Sequence, residues 1–176
     1  MSDKQATLDE QVRGAGRARW LDVAKLVGSI VVCEAAGGVG SIFTAPAIAT
    51  WYAALDKPGF TPPNWLFAPA WTTLFLLMGI AAFLVWRRGL RHPGVRLALV
   101  IFGVQLVLNV LWSVVFFGLK SPLGGVVEIC FLWVAIVLTI VAFWRVSVAA
   151  GVLLLPYMVW VSFAAALNVS VFILNP

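Results

Sequence analysis

Five stretches of this 176-residue chain, at about 26–50, 65–86, 97–118, 123–144 and 149–173, are almost continuously apolar. Each reaches the ~20 residues that a helix needs to cross a hydrocarbon core about 30 Å thick. The expected fold is therefore an all-α membrane protein, a five-transmembrane-helix bundle. With 62% hydrophobic and 11% charged residues, the chain has no length left for a soluble catalytic domain. Whatever it does, it does in the bilayer. The net charge of +5 does not point to nucleic acid, because the basic residues flank the spans as topology signals do. Cys33 and Cys130 lie far apart inside apolar runs and offer neither a disulfide framework nor a metal pair.

Residues 1–25 mix Lys4, Arg13, Arg17, Arg19 and Lys25 with Asp3, Asp9, Glu10 and Asp22, which predicts a charged tail, mobile or lying on the surface. The first run resembles a signal peptide only in the small residues Ala47 and Ala49 near its end. Its leader is long, it exceeds the 7–15 residues of an h-region, and it carries Glu34, so it is kept as a span. Within it Ser29, Cys33, Gly37, Ser41 and Ala45 recur every fourth residue, a smooth face for close helix packing. Of the 12 Lys and Arg, all but Lys57 and Lys120 fall on the N-terminal side of the bundle. The positive-inside rule then predicts a multi-pass protein of a bacterial cell membrane, N-terminus cytoplasmic, with the 51–64 loop and the C-terminus facing outward; in an outer or organelle membrane "inside" has to be redefined.

The segment from Trp51 to Trp71 departs from an ordinary connection. It carries Pro58, Pro62, Pro63 and Pro69 among tryptophans, so it is ordered without being regular helix, and it reads as a lid. Helical spacing places Trp71, Phe75, Met78 and Ala82 on one face of the second span, and Gln105, Asn109, Trp112 and Phe116 on one face of the third. The fifth gives Trp160, Ala164, Leu167 and Val171, with Asn168 beside them and Tyr157 one turn before. Amides in hydrocarbon must be paired or face a cavity, so these point inward. Together the faces describe an aromatic pocket with a few amides and a mouth near the lid, suited to large flat apolar ligands.

Plainer readings stand beside this one. Trp65, Trp86 and Trp144 suit an interfacial belt, and Gln105 and Asn109 serve equally well to bind helices together. Glu34 and Glu128 are the carboxylates within spans; Glu128, near its span's end, can snorkel or pair locally, whereas Glu34 is deeper and motivates a proton-coupled exporter of lipophilic compounds. A non-catalytic membrane scaffold is the third alternative. Haem ligation needs His, Cys, Met or Tyr aimed at iron. His92, the sole histidine, sits in the arginine-rich loop away from the lid, so no metal centre is expected. No nucleophile–base pair or phosphate-cradling glycine loop appears, and any activity is slow and ligand-assisted.

Three blocks carry a resemblance: WYAALDKPGFTPPNW followed by Phe67, Pro69 and Trp71; QLVLNVLWSVVFFG from Gln105 to Gly118; and PYMVWVSFAAALN from Pro156 to Asn168. In register from about Phe43 to Asn168, the chain resembles the tryptophan-rich sensory protein and translocator protein family. The resemblance implies a five-helix bundle, commonly a homodimer, that binds porphyrins such as protoporphyrin IX, sterols in some members, and synthetic aromatic ligands, with no covalently bound cofactor. It implies pocket positions at Trp51, Pro63, Trp71, Phe75, Asn109, Trp112, Trp160, Ala164 and Leu167, to which the spacing adds Gln105. It further implies that Trp51 and Trp160 take part in light- and oxygen-dependent breakdown of bound porphyrin. The function expected is thus a membrane receptor or regulator of tetrapyrroles, with transport and photo-oxidative degradation both open as its consequence. Two departures stand out. Val169 to Pro176 holds no Tyr and no basic residue, so the sterol-recognition pattern of some members is absent. Glu34 has no counterpart in the family pattern, while Glu128 falls where members often carry Asp.

Overall fold

The computed structural model describes the backbone of residues 2–176 and the side chains from residue 19 onward. Among the described residues there is no strand, and five helical segments are long and apolar enough to cross a membrane: Arg19–Ala49, Asn64–Trp86, Val95–Gly118, Pro122–Val146 and Val148–Leu174. The first belongs to a longer helix, α1 (Ser2–Ala49). The charged residues at 19–25, expected in a separate tail, are therefore continuous with the first span. Arg, Leu, Ala and Lys are good helix formers, and nothing in that stretch stops the helix. Asp22 fixes its entry by pairing with Lys25 at 3.7 Å and reaching Arg87, beyond the second span, at 3.9 Å. The rest of the predicted tail, to residue 18, lies outside the described side chains.

After a short helix α2 (Trp51–Ala54), residues 55–63 run without regular structure into a 3-10 turn at Asn64–Leu66 and then α3 (Phe67–Trp86). Pro69 sits in the first turn of α3, where its missing N–H has no helical partner to lose. The fourth segment is α4 (Val95–Ser113), which ends in a π-helical turn at Val114–Gly118. Helix α5 (Pro122–Val146) starts on an N-cap, the Ser121 hydroxyl accepting the Gly124 N–H at 3.1 Å, with Pro122 at the first position. The last span is broken into α6 (Val148–Leu153) and α7 (Leu155–Leu174) because Pro156 cannot donate the hydrogen bond that would join them.

In the bundle α1 packs on α3 and α4, α4 on α5, and α5 on α6 and α7, with α6 closing the ring against α3. The approach of α1 to α3 is closest midway, where Gly79 faces the Ile30 backbone and Gly37 faces the Phe75 ring. Toward lipid the helices present rows of exposed aliphatic residues, such as Val100, Val104 and Val107 on α4 and Val127, Val134, Leu138 and Val141 on α5. Trp65 and Trp144 are exposed near opposite ends, as an interfacial belt requires.

The loop after α2 is fastened across one end of the bundle. The Lys57 ammonium donates to the carbonyls of Tyr52, Ala53 and Leu55 at 2.8, 3.2 and 2.6 Å, closing the end of α2, and lies over the Tyr52 ring. At its far side the Asp56 N–H donates to Asn175 Oδ1, and Asn175 Nδ2 donates back to the Asp56 carbonyl, both at 3.0 Å. Phe60 meets Phe163 of α7 edge-on. The lid thus bridges α1 to α7.

Candidate functional site

Beneath the lid lies a cavity of about 380 Å³. Helix α3 supplies Phe67, Ala68, Trp71, Thr72 and Phe75, α4 supplies Asn109, Trp112 and Ser113, and α7 supplies Trp160, Ala164, Leu167 and Asn168. Each set repeats at three or four residues, so one face of each helix turns to a common centre. Phe116 and Phe117 line it together although adjacent in sequence, because the π-helical turn, with its Leu119 N–H to Val114 carbonyl bond at 2.8 Å, swings both inward.

Trp71 is the hub of the aromatic wall, with ring centroids 5.7 Å from Phe75, 6.4 Å from Tyr157, and 6.5 Å from both Trp112 and Trp160. Trp112 stacks on Phe116 at 5.5 Å with 7° between planes. The wall is held from behind by hydrogen bonds. Trp112 Nε1–H donates to Asn168 Oδ1 at 3.1 Å, and Asn168 Nδ2 donates to the Pro122 carbonyl at 3.1 Å. Asn109 Nδ2 donates to the Tyr157 oxygen at 2.9 Å, and the Tyr157 hydroxyl donates to Gln105 Oε1 at 3.0 Å.

Of the residues singled out from the sequence, Trp71, Phe75, Asn109, Trp112, Trp160, Ala164 and Leu167 meet around this one cavity. Trp51, Pro63 and Gln105 do not line it. Trp51 is half-buried and packs edge-on against Phe116 at 5.4 Å, behind the wall. Pro63 is exposed at the start of the 3-10 turn. Gln105, 1% exposed, sits one turn below Asn109 and ties α4 to α7 through Tyr157, with its Nε2 against the Met78 sulfur at 3.8 Å. Glu128 neither snorkels nor pairs; it is 7% exposed, and neither carboxyl oxygen has a partner among the described residues. His92 is exposed in the loop at the opposite end.

The whole contribution of α1 was absent from the predicted pocket. Glu34, Gly37, Gly38, Gly40, Ser41, Thr44, Ala45 and Ile48 form one side of the cavity, and Tyr52 joins them from α2. The fourfold spacing of small residues signalled close packing, which Gly37 does provide against Phe75, but the same smoothness leaves space nearer the lid. There Gly38, Ser41 and Ala45 of α1 and Ala68 and Thr72 of α3 are exposed as well as lining, so the cavity opens sideways between these helices. Burial pushes the Tyr52 phenol above its ordinary pKa, so it stays a neutral O–H group across the physiological range.

The sequence pattern of the TspO/MBR family matches residues 29–174, which include every cavity residue. The chain belongs to the TspO/MBR family. It is 48% identical to the tryptophan-rich protein TspO of Archaeoglobus fulgidus over 155 residues, covering 88% of this chain and 99% of that one. To the protein CrtK of Rhodobacter capsulatus it is 42% identical over 146 residues, 83% of this chain and 89% of the relative. The human translocator protein matches at 37% over 132 residues, 74% of this chain and 78% of the relative. The five apolar helices and this family membership make it a multi-pass membrane protein.

Proposed function

We propose that this TspO/MBR-family chain is a membrane receptor or regulator that binds tetrapyrroles, protoporphyrin IX among them, and related flat apolar ligands in the cavity under the lid. The observation that carries the reading is the convergence of Trp71, Phe75, Trp112, Phe116 and Trp160 on a single cavity of ligand-pocket size. Indole and phenyl faces give a planar macrocycle large contact area, and offset or edge-on ring contacts add about 0.5–1.5 kcal/mol each. The side opening suits a ligand that arrives dissolved in lipid. The arginines of the loop between α3 and α4 support an orientation with that loop and the N-terminus in the cytoplasm. The family resemblance extends the proposal to a homodimer.

Titration of the detergent-solubilised protein with protoporphyrin IX in the dark, followed by tryptophan quenching, is expected to saturate at micromolar concentration or below. The double variant Trp112→Ala, Trp160→Ala is expected to lose at least tenfold in affinity. Identical, non-saturating curves would mean that porphyrin only enters the micelle, and would reject the pocket.

Under illumination, loss of bound-porphyrin absorbance should slow in Trp160→Phe, whose indole lines the cavity, more than in Trp51→Phe, whose indole stands behind Phe116. Equal rates in wild type and the double phenylalanine variant would remove photo-oxidative degradation from the proposal.

A further inference from the structure

The charged groups around the cavity are not evenly divided between the two signs. One N–H of the Asn109 amide goes to Tyr157, one of the Asn168 amide to the Pro122 carbonyl, and the indole N–H of Trp112 to Asn168 Oδ1. The hydroxyls of Ser41 and Thr44 donate to the carbonyls of Gly38 and Gly40 in their own helix. Among the described residues no Lys or Arg lines the cavity, and the lid's Lys57 is engaged by three carbonyls. Toward the deep end stands the only carboxyl that lines the cavity among the described residues, that of Glu34. It lines the cavity half-buried, one turn inward of Gly37 and Gly38, and has no hydrogen bond or ion pair among the described residues. Its approach is unscreened, since a Cβ on Gly38 would have nothing within 4 Å. Neutral donors with no hydrogen bond among the described residues, the hydroxyls of Tyr52, Thr72 and Ser113 and the indole N–H groups of Trp71 and Trp160, also line the cavity, but none of them carries a charge.

From this asymmetry we infer that the deep end of the cavity is a subsite for a cationic or hydrogen-donating nitrogen, with Glu34 as the group that receives it. The ligand class is a planar polycyclic aromatic carrying a protonated amine or ring N–H at its inner end, with any carboxylate turned toward the lid. This deepens the flat-ligand reading proposed above and rests on it. Three physical terms favour such a ligand. A carboxylate in a span is costly unless it faces a cavity or a partner, and an ammonium supplies the partner. Ionised carboxylates accept hydrogen bonds and cannot donate them, so an anionic group brought against Glu34 would meet repulsion and no donor from that side chain. The Phe75 ring, against Gly37 one turn away, adds a π face that attracts cations.

The test uses three pyrene probes of one ring size in non-ionic detergent: 1-pyrenemethylamine, 1-methylpyrene and 1-pyrenecarboxylate, read by energy transfer from tryptophan. Wild type is expected to bind the amine at least tenfold more tightly than 1-methylpyrene, and the carboxylate most weakly. Glu34→Gln should bring the amine to within about twofold of 1-methylpyrene, both measured in that variant. Glu34→Asp, which keeps the charge and withdraws it by one methylene, should retain part of the preference and serves if the glutamine variant does not fold. Saturable binding of 1-methylpyrene that Trp112→Ala with Trp160→Ala abolishes, with no preference for the amine or the same preference in Glu34→Gln, overturns the subsite and leaves the pocket standing. Failure of all three probes to saturate overturns the pocket and the subsite together.

Discussion

Substituting leucine for Gly79 is expected to prevent the bundle from assembling, and alanine at the same position to destabilise it by about 1–3 kcal/mol, the usual range for overpacking. A Cβ on Gly79 would stand 2.7 Å from the Ile30 Cα and 3.1 Å from its backbone nitrogen. Those atoms cannot rotate away, so α1 as a whole has to retreat. In water the larger side chain would recover some free energy by burial. In lipid it does not, because the tails outside are as apolar as the interior and helices associate through close packing. The displaced helix also forms one side of the cavity, so ligand binding should fall with stability. Gly103 is the control, because nothing lies within 4 Å of a Cβ there and alanine gains helix propensity of up to about 1 kcal/mol. Unfolding in mixed detergent by circular dichroism measures both. If Gly79→Ala and Gly103→Ala shift the midpoint equally and in the same direction, the α1–α3 contact does not hold the bundle.

How far the sequence could be read depends on which physical signal each feature leaves. Hydropathy runs place the last four spans within two residues of where they lie, because the length of a span is set by the bilayer. The first begins earlier than its apolar run, since a helix can carry charges beyond the hydrocarbon and hydropathy sees only the apolar part. Period 3.6 was enough to turn Trp71, Phe75, Asn109, Trp112 and Trp160 toward one centre. It says nothing of depth, which is why Gln105 and Asn109, on one face and one turn apart, divide between the floor and the cavity. Phe117 escaped for the opposite reason, because the π-helical turn changes the period at that point. Trp51, in the four-residue α2, and Pro63, at the end of the irregular loop after it, depend on a path that no helical period governs. The small residues of α1 carried a signal with two meanings, close contact at Gly37 and empty space at Gly38 and Ser41, and only the contacts separate them.

Tyr157→Ala is expected to cost about 3–5 kcal/mol, as truncations of large buried aromatics do. The ring is 1% exposed, packs edge-on against Trp71 at 6.4 Å, and its oxygen joins Asn109 to Gln105. Tyr157→Phe separates the two contributions by keeping the ring and removing the oxygen. In water the loss of partners for a buried amide donor and a buried carbonyl would cost about 1–3 kcal/mol each. Within a membrane the same groups find substitutes in the unfolded chain, and interhelical bonds average about 0.6 kcal/mol with a ceiling near 1.7. Two bonds then place Tyr157→Phe at about 1–3 kcal/mol, below the alanine variant. Adding Gln105→Leu, which removes the stranded carbonyl, should restore part of that loss. A double-mutant cycle in the detergent unfolding assay reads the coupling directly. Strict additivity of Tyr157→Phe and Gln105→Leu would show that the 3.0 Å contact contributes nothing to the coupling of α4 and α7. Porphyrin binding distinguishes the roles further. Asn109 lines the cavity and Gln105 does not, so freeing the Asn109 amide should change ligand affinity in Tyr157→Phe, while Gln105→Leu alone should lower stability with the cavity wall intact.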